Sequence, residues 1–283
     1  MPSINFNSNL EALLIGSNLD KVKRQLMVAL KRLSTGQRIN SASDDPSGLA
    51  ISTKYESDVR SIGAAQRNVN SGISLAQTAE GGLEQISDSL TRMRELAVES
   101  ANGTLTSADR AAIDTEYQSL RSEVDRLANG TTFNGQYMLN TAASFQMQVG
   151  IGNTVSDNTI TLNTTDVNSS SIGTNGGVTL SGTEVLSAGS AAIAISSLDV
   201  AIGQISTARA NIGAATNRLN AAAGYLAAQK EALSAANSTI RDADIAEETA
   251  NYTKQQILLQ AGTALLAQAN VLPSVGLQLL QGL

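Results

Sequence analysis

Apolar residues recur every three or four positions through most of this chain and switch to every second position only near its middle. Leu19, Val22, Leu26, Ala29 and Leu33 keep a 3-4-3-4 spacing, which lays one narrow stripe along a helix. Lys21, Lys23, Arg24 and Lys31 fall off that stripe. The stretch STGQRINSASDDPSG that follows is rich in turn formers, and Asp45 before Pro46 predicts an N-cap with proline at the first helical position. A second stripe runs through Val59, Ile62, Val69, Ile73, Ala76, Leu83, Ile86, Leu90, Met93 and Ala97, with a phase slip near Ala79. It predicts one helix of roughly 50 residues, about 75 Å long at 1.5 Å rise per residue.

After a turn over residues 102–107, Ile113, Tyr117, Leu120, Val124 and Leu127 mark a further helix that Asn129-Gly130 closes. Asn134-Gly135 then signals a tight turn. Phe145, Met147, Val149 and Ile151 alternate with Gln and Gly, which predicts a strand. Residues 153–190 are mostly Ser, Thr, Asn and Gly with brief apolar pulses at Ile160, Leu162, Val178 and Leu180, so a small β or loop module with little core is expected there. A third long helix carries Leu198, Ile202, Ile205, Ile212, Leu219, Leu226, Leu233 and Ile240 on one face. The chain closes on Leu258, Leu265, Leu272 and Leu279, seven apart each time, in a stretch from Gln255 onward without a charged residue.

The pattern predicts a mainly α fold: a long antiparallel, coiled-coil-like helical rod formed by both chain ends, with a small β-hairpin module in the middle. The expected segments are residues 1–46 (terminal helix and linker), 47–152 (long helices and hairpin), 153–189 (short exposed module), 190–240 (returning helix) and 241–283 (linker and closing helix).

Composition narrows the function. Cys and His are both absent among the 283 residues, which removes thiol nucleophiles, imidazole bases and the usual zinc ligands. No catalytic constellation, metal site or cofactor is expected. Asp44 and Asp45 read as a cap and a loop residue rather than metal ligands. With 19 basic against 25 acidic side chains, net charge −6, the chain is a poor electrostatic match for nucleic acid. The opening MPSINFNSNL lacks the basic and apolar regions of a secretory signal. The uncharged ending is broken by Gln, Gly, Asn, Ser and Pro273, so no membrane insertion is expected. A single covered stripe leaves neutral, apolar surface on the other sides of that ending. The terminal helices therefore read as assembly elements.

ALKRLSTGQRINSASDDPSGLAIS, RNVNSGISLAQTAEGGLEQISDSLTRMRELAVESANGT and ILLQAGTALLAQAN resemble the corresponding segments of bacterial flagellins. The resemblance covers about residues 1–150 and 190–283, and the order of the segments carries it. It implies a structural subunit that polymerises with itself into the flagellar filament, outside the cell, and transmits motor torque for swimming. It implies terminal helices in an inner tube, long helices in an outer tube, export through a type III channel, an export chaperone on the C-terminal helix, and cap and hook-junction proteins as partners. The polymerisation residues would be Leu19, Val22, Leu26, Leu33, Leu258, Leu265, Leu272 and Leu279, with the closing leucine stripe covered first by the chain's own N-terminal helix. Alternatives are the hook–filament junction protein and a secreted helical-stalk adhesin.

The resemblance also places a vertebrate innate-receptor surface at Arg92, Leu96 and Glu116, although Gln118-Ser119-Leu120-Arg121 follows where relatives often carry Arg one position earlier. Flagellins are commonly glycosylated on exposed Ser or Thr. Thr164, Thr165, Ser169 and Ser170 are the candidate acceptors.

Overall fold

The structure, a computed structural model, describes the backbone of residues 9–281 and the side chains of residues 9–271. The chain divides into two compact units. One joins the two chain ends, up to Asp58 and from Ala232, and the other is Val59–Glu231. The division falls inside two long helices rather than at the linkers expected near residues 46 and 241.

In the unit of the chain ends, α1 (Leu10–Thr35) begins at Asn9, whose side chain accepts the Ala12 N–H at 3.1 Å. It ends where the N–H of Gly36 returns to the Arg32 carbonyl. Asp44 then accepts the N–H groups of Asn40 and Ser41 and folds the linker back. Asp45 accepts the Gly48 N–H at 2.9 Å and opens α2 (Pro46–Ser100), as the Asp-Pro pair predicted. Both carboxylates thus organise backbone.

Within Val59–Glu231, α2 buries a row that steps by three and four from Ile62 to Ala97. The expected phase slip near Ala79 is absent, because Gly72 and the fully buried Ala79 complete the row. Gly72 is closely packed: a Cβ there would lie 3.0 Å from Met147 and 3.3 Å from Leu219, so those side chains would have to shift. α3 (Ser107–Gly130) starts with a capping box in which Thr106 and Asp109 satisfy each other's backbone N–H. The turn between α2 and α3 is gripped by Arg110, whose guanidinium donates to the carbonyls of Ser100, Asn102 and Leu105 at 2.8–3.0 Å.

Two short antiparallel pairs follow. β1 (Thr132–Phe133) and β2 (Gln136–Tyr137) enclose the Asn134-Gly135 turn, with positive φ at both residues. β3 (Ser144–Gln148) pairs with β4 (Thr159–Asn163), setting Phe145 opposite Leu162 and Met147 opposite Ile160; the single helical turn α4 (Val155–Asn158) lies between them. The strand expected to reach Ile151 stops at Gln148. There the N–H groups of Val149 and Gly150 both go to one carbonyl, that of Asn158, which breaks the ladder.

The segment after β4 departs most from expectation. Apart from one 3-10 turn at Leu180–Gly182, residues 164–187 are irregular, yet Val167, Ile172, Leu180 and Val185 are all at most 2 % exposed. Side chains of α3 hold this strap. Asp125 accepts the N–H and hydroxyl of Ser169, Tyr117 shares a 2.7 Å hydrogen bond with the Thr183 hydroxyl, Arg121 donates to the Ser181 carbonyl, and Asp114 accepts the Val185 N–H. The strap is core, not an exposed module with little core. α5 (Ala188–Arg241) then buries Leu198, Ile205, Ile212 and Leu219, and α6 (Ile245–Gln281) opens on Asp244, which accepts the N–H groups of Ala246 and Glu247.

Candidate assembly surfaces

α1 and α6 pack antiparallel. Asn9 donates to the Ala269 carbonyl at 2.9 Å near one end, and Arg32 faces Glu248 at 3.7 Å near the other. On α1 the seam is the predicted stripe: Leu19 and Ala29 are buried, while Val22, Leu26 and Leu33 are half-buried. On α6 the seam is a different row from the one predicted. Tyr252, Gln255, Leu259, Gly262, Leu266 and Ala269 face α1, again in steps of three and four. Leu258 and Leu265 lie one residue off this row and stay 43 % and 59 % exposed. The chain's own N-terminal helix therefore does not cover them. Leu272 and Leu279 fall outside the described side chains.

The physical reason lies in side-chain size. Gly262 presents bare backbone to Leu19, so the seam closes at short range around a small residue. A glycine facing a predicted leucine stripe was the signal in the sequence that could have identified this seam. Leu13, Leu14, Met27 and Leu30 of α1 and Ile257 of α6 are also exposed. Apolar surface of this extent on both helices marks an interaction face.

In the second unit, Arg92 donates through Nε and Nη2 to one oxygen of Glu116, at 3.0 and 2.9 Å, and through Nη1 to Glu95 at 3.0 Å. These bonds to Glu95 and Glu116 raise its already high pKa. Arg92 and Glu116 share an exposed surface, whereas Leu96 is 2 % exposed and packs inward. Leu96 is thus removed from any receptor-facing set. Two of the four candidate acceptors fall as well. Thr164 and Ser169 are buried, and Ser169 is engaged by Asp125, while Thr165 and Ser170 are exposed. The α5 helix contains a stretch long and apolar enough to cross a membrane, although only 33 % of it is buried. No group of three or more potential metal-ligating side chains occurs among the described residues.

The family model for the bacterial flagellin N-terminal helical region matches residues 6–144, and that for the C-terminal helical region matches residues 195–280. The chain is 41 % identical to the flagellin of Halalkalibacterium halodurans, over 97 % of this chain and 99 % of that protein. The chain belongs to the bacterial flagellin family. It is also similar to the 30.7 kDa flagellar filament core protein of Treponema maltophilum, at 39 % identity over 91 % of each chain. A solved structure of a Vibrio parahaemolyticus protein described as flagellar hook-associated shares the fold, with a TM-score of 0.57 over 70 % of this chain and all of that one, at 19 % identity. As a flagellin, the chain is a structural subunit of the flagellar filament. The comparisons do not favour the junction-protein or adhesin alternatives.

Proposed function

We propose that the α1–α6 pair is the polymerisation element and that copies meet through the row of Leu258 and Leu265. One observation carries this reading: both leucines lie off the seam with α1, on a helix without charge from Gln255 onward, and the described residues leave them exposed. Neighbouring copies would cover them together with Leu13, Leu14 and Met27, giving an inner tube, while Val59–Glu231 builds the outer wall that transmits torque. Low charge suits such packing, because a buried charge without a partner costs several kcal/mol.

The same reading has the chain exported through a type III channel, with a chaperone on α6 and cap and hook-junction proteins at the filament ends. It leaves Arg92 and Glu116 as the surface a vertebrate innate receptor would meet, and Thr165 and Ser170 as the acceptors for glycans. The test is Leu258→Asp together with Leu265→Asp, in protein purified from the cytoplasm. Circular dichroism of the monomer should be unchanged, and sedimentation after seeding should show no filaments. A normal filament yield would overturn the polymerisation role of this row.

A further inference from the structure

We propose that Asn134 is a site of spontaneous deamidation, in which the backbone nitrogen of Gly135 displaces the side-chain amide and leaves aspartate or isoaspartate at the tip of the first hairpin. Asn-Gly occurs four times in the chain, at Asn102, Asn129, Asn134 and Asn175. The intrinsic chemistry is the same at each, because glycine puts no side chain in the way of its own nitrogen. All four asparagines are exposed. Solvent access therefore does not separate them, and hydrogen bonding does.

The reaction requires the backbone between the two residues to turn until the glycine nitrogen reaches Cγ of the asparagine. Three of the sites are held against that turn. Asn102 gives its N–H to the Glu99 carbonyl, and its own carbonyl accepts from the Leu105 N–H and from Arg110 at 2.8 Å. Its side-chain oxygen also accepts the Thr104 N–H at 3.2 Å. Asn129 and Gly130 lie inside α3, and the Asn129 amide donates to the Asp125 carbonyl at 2.8 Å. Asn175 exchanges both backbone hydrogen bonds with Val178. Asn134 differs from all of them. Among the described residues its N–H, its carbonyl and its side-chain amide have no hydrogen-bond partner, and neither has the Gly135 N–H.

The hairpin around this pair is easy to open. β1 and β2 have two residues each, and pairing of that length adds little stability of its own. The base of the hairpin is fixed elsewhere: Met138 and Leu139 are buried, and Thr131 and Leu139 pack against Gly82 of α2. Residues 132–137 can thus open while the rest of the unit stays folded. The turn itself selects the residues that react. With φ positive at both central positions, 51° and 77°, it favours Asn followed by Gly.

The step needs no reagent except water. The Gly135 nitrogen bonds to Cγ of Asn134, the Cγ–Nδ2 bond breaks, and Nδ2 leaves as ammonia with the proton from the Gly135 N–H. Water then opens the cyclic imide. Addition at Cγ restores the ordinary chain with an aspartate side chain. Addition at the main-chain carbonyl leaves isoaspartate, whose backbone runs through the former side chain. Both products carry a new negative charge.

Purified monomer is held at mildly alkaline pH, folded in buffer or unfolded in urea, and each Asn-Gly peptide is followed by mass spectrometry. In the folded chain Asn134 should deamidate roughly tenfold faster than each of the other three sites, as a difference in local opening requires. In urea the four rates should converge. An isoaspartyl methyltransferase should label the aged folded chain, and Asn134→Gln should remove most of that label. Faster reaction at Asn102, Asn129 or Asn175, or equal rates in the folded chain, overturns the proposal. Label retained by Asn134→Gln overturns it as well. A lead for Asn134 that persists unchanged in urea also overturns it, because the order would then come from neighbouring residues rather than from the fold.

Discussion

Gly262 of α6 sits so close to Leu19 of α1 that a Cβ built on it would lie 2.7 Å from a Leu19 methyl. The pairing of the two chain ends depends on that missing side chain. Gly262→Val should force Leu19 out of the seam, and overpacking of this kind costs about 1–3 kcal/mol. The expected result is earlier proteolysis within residues 10–35, with Val59–Glu231 unaffected. Unchanged protection of α1 would show that the seam yields elsewhere.

The strap over residues 164–187 should be essential to its unit. Leu180 is fully buried, and Leu180→Ala should cost about 2–5 kcal/mol. Deleting residues 157–187 should leave the unit molten, because it removes β4 and the strap residues that complete the core. Tyr117→Phe, which removes one buried hydrogen bond, should cost only about 1 kcal/mol. Urea unfolding of the three variants should rank them deletion, Leu180→Ala, Tyr117→Phe. A stably folded deletion would restore the view of this segment as a dispensable surface loop.

Acid should loosen the start of α3. Asp109 accepts hydrogen bonds from the Thr106 hydroxyl and N–H, and both lower its pKa below the ordinary 3.8. A carboxylate whose folded pKa is lowered stabilises the fold fully above its unfolded pKa, and loses that contribution as the pH falls through the lowered value. As the pH falls below the ordinary carboxylate range, the wild-type chain should therefore lose more stability than Asp109→Asn, which keeps no titrating group at that position. Parallel acid limbs for the two proteins would remove Asp109 from the account.

Glycan mapping offers a further check. Mass spectrometry of protein from its natural filaments should find any sugar in this region on Thr165 or Ser170 and none on Thr164 or Ser169. Sugar on Ser169 would require the strap to open during modification, since its hydroxyl donates to Asp125 at 2.8 Å.

The helices were largely legible in the sequence because packing repeats along them. The α1 stripe follows from spacing alone, as does the α2 row apart from the false slip where Gly72 and Ala79 carry it, and Asp45-Pro46 and Asn134-Gly135 marked a helix start and a turn through their backbone preferences. The α6 seam was misread because leucine draws attention by size, while the seam is closed by Gly262 and Ala269. The strap was unreadable for another reason. Its burial has no period, since Val167, Ile172, Leu180 and Val185 are spaced irregularly and are held by α3 side chains far away in sequence. Leu96 and Ser169 were lost to the candidate sites for a related reason: position on a motif does not say which way a side chain turns.

The guanidinium of Arg110 takes hold of three carbonyl oxygens, those of Ser100, Asn102 and Leu105. Every amino acid brings the same oxygen, so the grip itself makes no demand on the side chains of residues 101, 103 and 105. Those positions can be rewritten while the course of the turn stays put, whereas Asn102 and Thr106 hold backbone with their own side chains. Much of the constraint on the loop's path has thus been moved to one position of the neighbouring helix.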